Sequence, residues 1–295
     1  MSLKDTMPSP DIIDEIVLNK AQDSEVTIIE PGTNRYLPDM KELWRFRNLF
    51  YALVWRNVRI RYKNTTLGAV WILLQPFLQM LVYTLVFGLW ARIPVGDIPY
   101  SVHVLSGLVL LFFLTRVISE SANVVRGNQS LTRKVYFPKL ILPCTVTASA
   151  MVDLCVTQLL LLIIMTVQGV TPEATIVLAP IFLLLVVFWA FALSLWFSAL
   201  GIRFRDLTLL IPVMTMLMMY MSPVIYPITI VPEYLLPIYA LNPMVGIVTG
   251  FRWAVLGIEP FYPWMLGVTV VETLVVGITG LVYFVRTERS FNDFL

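Results

Sequence analysis

Histidine, cysteine and charge are all scarce in this 295-residue chain, and each shortage removes a class of function. One histidine, His103, and two cysteines, Cys144 and Cys155, cannot build a Cys/His zinc site. The two cysteines share one apolar run, ~16 Å apart if it is helical, which is beyond disulfide reach within that helix. Charged residues make up 14% of the chain and hydrophobic ones 58%, too apolar a balance for a domain that meets water on every side. No lysine follows a glycine, so a G-x-x-x-x-G-K-[ST] phosphate loop is absent, as are a G-x-S-x-G elbow and an H-E-x-x-H helix. No cofactor is expected in this chain. The net charge of +2 comes with no exposed basic run beside stacking aromatics, which argues against nucleic acid as a partner. Met1–Lys20 carries Asp5, Asp11, Asp14 and Glu15 and lacks the apolar stretch of a cleavable signal.

Long apolar runs are what the chain has instead. They cover Leu67–Ala91, Tyr100–Ile118, Leu140–Val167, Thr175–Leu200, Leu207–Met221 and Pro263–Val285. Most reach the ~20 residues that cross a ~30 Å hydrocarbon layer as a helix. Lysine and arginine are asymmetric about these runs: ten precede the first and five join the second to the third. Arg203 and Arg205 join the fourth to the fifth, and Arg286 and Arg289 follow the sixth. Only Arg92 and Arg252 are left for the other side. The positive-inside rule then predicts an all-α integral membrane protein of six spans with both termini cytoplasmic.

The chain divides into three expected parts. Residues 1–38, polar and rich in proline, read as a cytoplasmic tail. Residues 39–64 read as an amphipathic interface helix, with Leu43, Phe46, Phe50, Leu53, Val54 and Val58 on one face and Arg45, Asn48, Arg56, Arg59 and Lys63 on the other. Residues 65–295 form the transmembrane part, in which Ser119–Leu140 is read as the longest cytoplasmic loop. Between Met221 and Pro263 the chain stays apolar yet holds Pro223, Pro227, Pro232, Pro237 and Pro243. A continuous helix cannot accept them, and irregular backbone cannot face lipid. Residues 222–258 are therefore expected to be short broken helices dipping back into the outer leaflet, buried against protein or lining a cavity, the alternative being a simple external loop that caps the bundle.

Two carboxylates, Asp153 and Glu272, fall inside predicted spans, where a charge costs at least ~2.5 kcal/mol. They are read as a proton or ion relay, or as polar contacts between helices. Trp71, Gln75, Phe77, Gln79, Tyr83 and Phe87 on the first span, with Tyr220 on the fifth, combine rings and amides. Such a wall suits a sugar polymer, although aromatics in spans also serve as anchors and core.

Arg59-Ile60-Arg61-Tyr62-Lys63-Asn64-Thr65-Thr66-Leu67-Gly68-Ala69-Val70-Trp71, then Leu74-Gln75-Pro76, resembles the start of the membrane subunit of ABC-2 type polysaccharide exporters, the O-antigen, capsule and teichoic-acid permeases. Ser222-Pro223-Val224-Ile225-Tyr226-Pro227, Leu241-Asn242-Pro243 and Gly250-Phe251-Arg252 resemble that family's second stretch, at its external gate. The resemblance implies a homodimer in the bacterial inner membrane, two copies of a separate ATPase subunit that binds ATP and magnesium, and a lipid-linked glycan as substrate. It implies ATPase coupling through Arg56, Arg59, Arg126, Arg133, Lys134, Tyr136, Arg203 and Arg205, and a gate built on Pro223, Tyr226, Pro227, Asn242, Pro243 and Arg252. One departure stands out: Asn57 follows Arg56, where related chains often carry an acid. The rival readings are an exporter of a drug-like or lipid molecule on the same scaffold and a membrane-embedded glycosyl- or phosphotransferase. The short external connections Arg92–Pro99 and Gln168–Glu173 count against the first, and the scattered acids Asp97, Glu173, Glu233 and Glu259 against the second.

Overall fold

A computed structural model describes residues 40–63, 70–204, 206–258 and 260–288. The expected tail at 1–38 and Arg205 lie outside the described residues. Every regular element among the described residues is helical.

The basic segment forms two helices, α1 (Met40–Arg45) and α2 (Arg47–Lys63), which meet at Phe46. Leu53 is buried, and Leu43, Phe46, Leu49 and Phe50 pack beside it on the core. Trp44, Tyr51, Trp55 and Ile60 point outward instead. The helix is thus amphipathic in a membrane sense: one apolar face meets protein, and the aromatic remainder suits a headgroup layer.

The first span is α3 (Val70–Tyr83), continued by a π-helical stretch over Thr84–Trp90. Together they run 21 residues. Span two, α4 (Tyr100–Gly127), is the hub, with 83% of its apolar window buried inside the protein. A short helix, α5 (Gln129–Lys134), follows it. Span three is α6 (Ile141–Val167), and span four is α7 (Ala179–Arg203), entered through a 3-10 turn at Ala174–Leu178. Next comes α8 (Leu207–Met221), then two 3-10 turns and the short α9 (Leu236–Tyr239). Two longer helices, α10 (Pro243–Leu256) and α11 (Pro263–Glu288), complete the bundle.

Five of these helices are long and apolar enough to cross a membrane. The 15-residue α8 is shorter, ~22 Å by helical rise. Residues Glu233–Tyr239 and Pro243–Leu256 form one apolar pair bent by 114°. The break falls within the proline-rich segment, where a continuous helix is not expected.

One expectation needs correction. Residues 119–127 are helix, not loop: α4 runs two turns beyond Ile118. Ser121, Ala122, Val124 and Val125 are buried there, so the bundle continues past the apolar run. Polar residues end a hydropathy signal, but they end a helix only when it has nothing left to pack on. A glycine permits the packing. A Cβ on Gly201 of α7 would lie 2.0 Å from the Ala122 carbonyl oxygen, so α4 and α7 approach backbone to backbone. The outward faces of α3, α8 and α11 remain apolar, with Leu81, Leu85, Leu209, Leu217, Leu274 and Ile278 among the exposed residues. That surface belongs in lipid or against another membrane chain.

Candidate functional site

The proline-rich segment is stabilised by side chains that reach its backbone. After α8 the chain turns through Ser222–Tyr226, where no helix supplies hydrogen bonds. Arg252, on α10 and wholly buried, supplies them. Its guanidinium donates to the carbonyls of Pro223 (2.6 Å), Val224 (2.8 Å) and His103 (3.0 Å), and to the Ser106 hydroxyl (3.0 Å). The Tyr100 hydroxyl donates to the Ile225 carbonyl at 2.6 Å. Backbone oxygens at membrane depth must find donors within the protein, and the planar fork of arginine reaches several at once.

Local sequence explains why Arg252 stands there. Asn242 caps α10, accepting the Met244 amide at 3.1 Å, and Pro243 follows as the first helical residue. Gly257 ends the helix with φ +67°, a left-handed conformation that glycine adopts freely. The Asn242 amide group also donates to the Met221 carbonyl and the Ser222 hydroxyl, both at 3.0 Å, so one residue starts α10 and ends α8. The Tyr226 hydroxyl donates to the Tyr220 carbonyl at 2.8 Å and lies 3.0 Å from the Tyr239 hydroxyl. Pro223 and Pro227 are buried within this turn. All six expected gate residues therefore belong to one structure. Tyr100, Ser106 and the His103 carbonyl complete it, and the sequence reading did not assign them to it.

The expected channel wall falls into two groups. Gln79 donates to the Tyr83 hydroxyl at 2.6 Å, and that hydroxyl donates to the Met219 sulfur on α8 at 3.1 Å. Phe87 meets the Tyr83 ring edge-on at 5.9 Å. Phe77 packs on the core, and Tyr220 is exposed. Trp71 and Gln75 lie apart from these, on a cavity of about 430 Å³ among α2, α3, α4, α6 and α8.

That cavity holds the intramembrane acid. Asp153 is ion-paired with Arg116 of α4, and Arg61 of α2 stands 3.7 Å from it. Glu120 binds Arg116 at 2.9 Å and Arg61 at 2.8 Å. Two arginines and two carboxylates so join three helices. Arg116, counted from sequence with the connecting loop, belongs to the span and partners Asp153. A carboxylate at depth demands such a base. Glu272, on α11, has no partner of this kind among the described residues.

The expected coupling residues share the basic end of the bundle but do not form one patch. Arg56 donates to Asn128 at 2.5 Å, at the junction of α4 and α5, and so ties α2 to that corner. Arg126 donates to the Ile202 carbonyl at 3.0 Å, placing a cation at the C-terminus of α7. Arg59 lies over the Trp55 ring and Arg203 over Phe204, each at 5.7 Å. Arg133 and Lys134 are exposed on α5. The Tyr136 hydroxyl meets Glu42 at 3.3 Å. The Lys139 amide donates to Glu288, at the end of α11, at 3.0 Å.

Comparison with known proteins follows the same outline. The family model for ABC-2 type transporters matches residues 48–256. The chain belongs to this family of membrane transport proteins. It is 29% identical over 215 residues to the O-antigen export system permease protein RfbA of Myxococcus xanthus, spanning 72% of this chain and 82% of that one. A protein of the same name from Klebsiella pneumoniae is 23% identical over 84% of this chain and 95% of its own length. The polysialic acid transport protein KpsM of Escherichia coli is 26% identical over 70% of this chain and 80% of its own.

Proposed function

We propose that this chain is the membrane-spanning subunit of an ATP-driven exporter that moves a lipid-linked polysaccharide across the bacterial inner membrane. It acts as a homodimer with two copies of a separate nucleotide-binding ATPase, and both of its termini are cytoplasmic. One observation carries the reading: the likeness to O-antigen and polysialic acid permeases runs over at least 70% of the chain, and the match to the ABC-2 type transporter family takes in the latched proline segment. The rings and amides of Trp71 and Gln75 at the cavity, and of Gln79 and Tyr83 beside α8, give it chemical support, since sugars offer hydroxyls and apolar ring faces.

The partner binds ATP and magnesium, and this chain transmits its motion. Exposed Arg133 and Lys134 on α5 offer the contact, and the Arg56–Asn128 bond passes displacement of α5 to α2. The apolar faces of α3 and α8 meet the second copy around the polymer path. A state change of this kind needs contacts that differ between the nucleotide-bound and nucleotide-free partner.

Co-expression with the candidate ATPase tests the reading. Arg133→Glu, or deletion of part of Arg126–Pro138, is expected to abolish complex formation or surface glycan. Undiminished export after the deletion would refute the coupling assignment.

A further inference from the structure

The outer end of span one is wound as a π-helix, and one of its residues, Gly88, touches the side chain that holds the proline-rich turn. We propose that Gly88 and Phe87 are positioning residues for the gate. When the π stretch tightens into α-helix, Phe87 takes the place of Gly88, displaces Tyr100 and releases the Ile225 end of the turn. The proposal rests on the reading of that turn as the exporter's external gate and deepens it by naming what opens it.

A π turn closes on the fifth residue and an α turn on the fourth, and such wide turns occur mostly at functional sites. Thr84–Trp90 continues α3 in this form for seven residues. The Ala91 amide donates to the Val86 carbonyl, five residues back, at 2.9 Å. Arg92 follows in a left-handed conformation, φ +50°, which a residue with a side chain holds only at a cost. No proline lies in the stretch, so nothing in its covalent structure forbids an α turn. The wide form is held by what it packs on.

That packing is unusually close at Gly88. A Cβ added there would lie 2.9 Å from both Cβ and Cγ of Tyr100, the first residue of α4. A larger residue could stand at that point only if the Tyr100 side chain moved. Tyr100 is buried and donates its hydroxyl proton to the Ile225 carbonyl at 2.6 Å. At the inner end of the π stretch, the Tyr83 hydroxyl is tied to the Met219 sulfur of α8 at 3.1 Å, which fixes where the wide turns begin. Above a fixed Tyr83, an α-helix needs one residue fewer than a π-helix to complete a turn. The residue facing Tyr100 then becomes Phe87. Its ring cannot enter a space that refuses a single methyl group, so Tyr100 swings off Ile225. The irregular connection Arg92–Pro99 takes up the rotation of the helix end. Two windings one residue apart are discrete alternatives, as a switch between packed states requires.

The test labels the complex with an impermeant thiol reagent in right-side-out vesicles loaded with or without ATP. Cys144 and Cys155 are replaced by serine, and Val224→Cys is the reporter. Gly88→Ala presses on Tyr100 at all times and should raise labelling at least fivefold without nucleotide. Tyr100→Phe removes the hydroxyl without the pressure and should raise it about threefold. Phe87→Gly keeps the resting contact of Gly88 but has no ring to insert, so labelling during ATP turnover should fall at least fivefold. Phe87→Leu, with a bulky side chain again, should recover most of it. A gain at one residue and a loss at its neighbour cannot both come from misfolding. Native labelling of Gly88→Ala without nucleotide, or undiminished labelling of Phe87→Gly during turnover, overturns the proposal. A native complex that labels alike with and without ATP refutes the gate reading and this proposal with it. Native opening with variants that behave as the native complex refutes this proposal alone.

Discussion

Arg252, held against α4 at Ser106, and Arg116, a residue of α4 itself, lie about 15 Å apart along its axis by residue spacing, and they solve opposite problems. Among the described contacts Arg252 donates to neutral dipoles, three carbonyls and a hydroxyl. Arg116 is surrounded by charge, with Asp153 on one side and Glu120 on the other. The first supplies donors to a backbone that has none. The second neutralises an acid that the membrane would otherwise reject. A fixed turn and a polar cavity follow from the same residue type in different company.

Substitution separates the two most sharply at Arg252. Each hydrogen bond from a charged donor contributes about 1.5–3 kcal/mol, and Arg252→Ala strands several acceptors, so the loss is on the order of 4 kcal/mol or more. Thermal unfolding in detergent should show it, or the protein should fail to accumulate. Arg252→Lys should recover only part, because an ammonium cannot fork to separated carbonyls.

Arg116→Ala comes next. It removes the nearest base of Asp153, and breaking a buried pair of this kind is expected to cost up to about 3–5 kcal/mol. Arg116→Met together with Asp153→Leu should restore most of that stability, which no partner change can do for Arg252. Arg61 makes the contrast within the cluster. Its side chain is 41% exposed, so Arg61→Ala should cost about 0–1 kcal/mol and depend on salt.

The smallest effect lies at the end of α11. Burial pushes the Glu288 carboxyl above its ordinary value of 4.5, while the Lys139 amide and ammonium pull the other way. A carboxyl raised on folding binds its proton more tightly in the native state. Its contribution to stability is complete below pH 4.5 and is lost as pH rises through the higher native value. Glu288→Gln, which still accepts the Lys139 amide, should flatten that fall in a pH series of melting temperatures.

Much of this was legible in the sequence. Length and apolarity locate five spans and the short α8, and five prolines between Met221 and Leu256 announce the broken element. Asn242-Pro243 and Gly257 mark the ends of α10 through capping chemistry alone. The long-range pairings were not legible. Nothing near Arg252 in the chain points to carbonyls 28 and 29 residues earlier, or to Ser106 at 146. Asp153 calls for a base, but choosing Arg116 requires knowing that α4 and α6 pack side by side, which no local pattern states. The coupling residues divided for the same reason: Arg56 and Arg126 look like a shared basic surface in sequence, yet both bind groups of their own bundle.

The central claim is that the Arg252-held turn is a gate moved by a partner ATPase at the other end of the bundle. Thiol labelling tests it most directly, with Cys144 and Cys155 replaced by serine and the complex in membrane vesicles. Cysteine at Leu241, 65% exposed, should react with an impermeant reagent at all times, and cysteine at the fully buried Val224 should stay protected without nucleotide and react during ATP turnover. Labelling of Val224→Cys at the same rate with and without ATP, or its complete protection while Leu241→Cys reacts and glycan is being exported, would contradict the account.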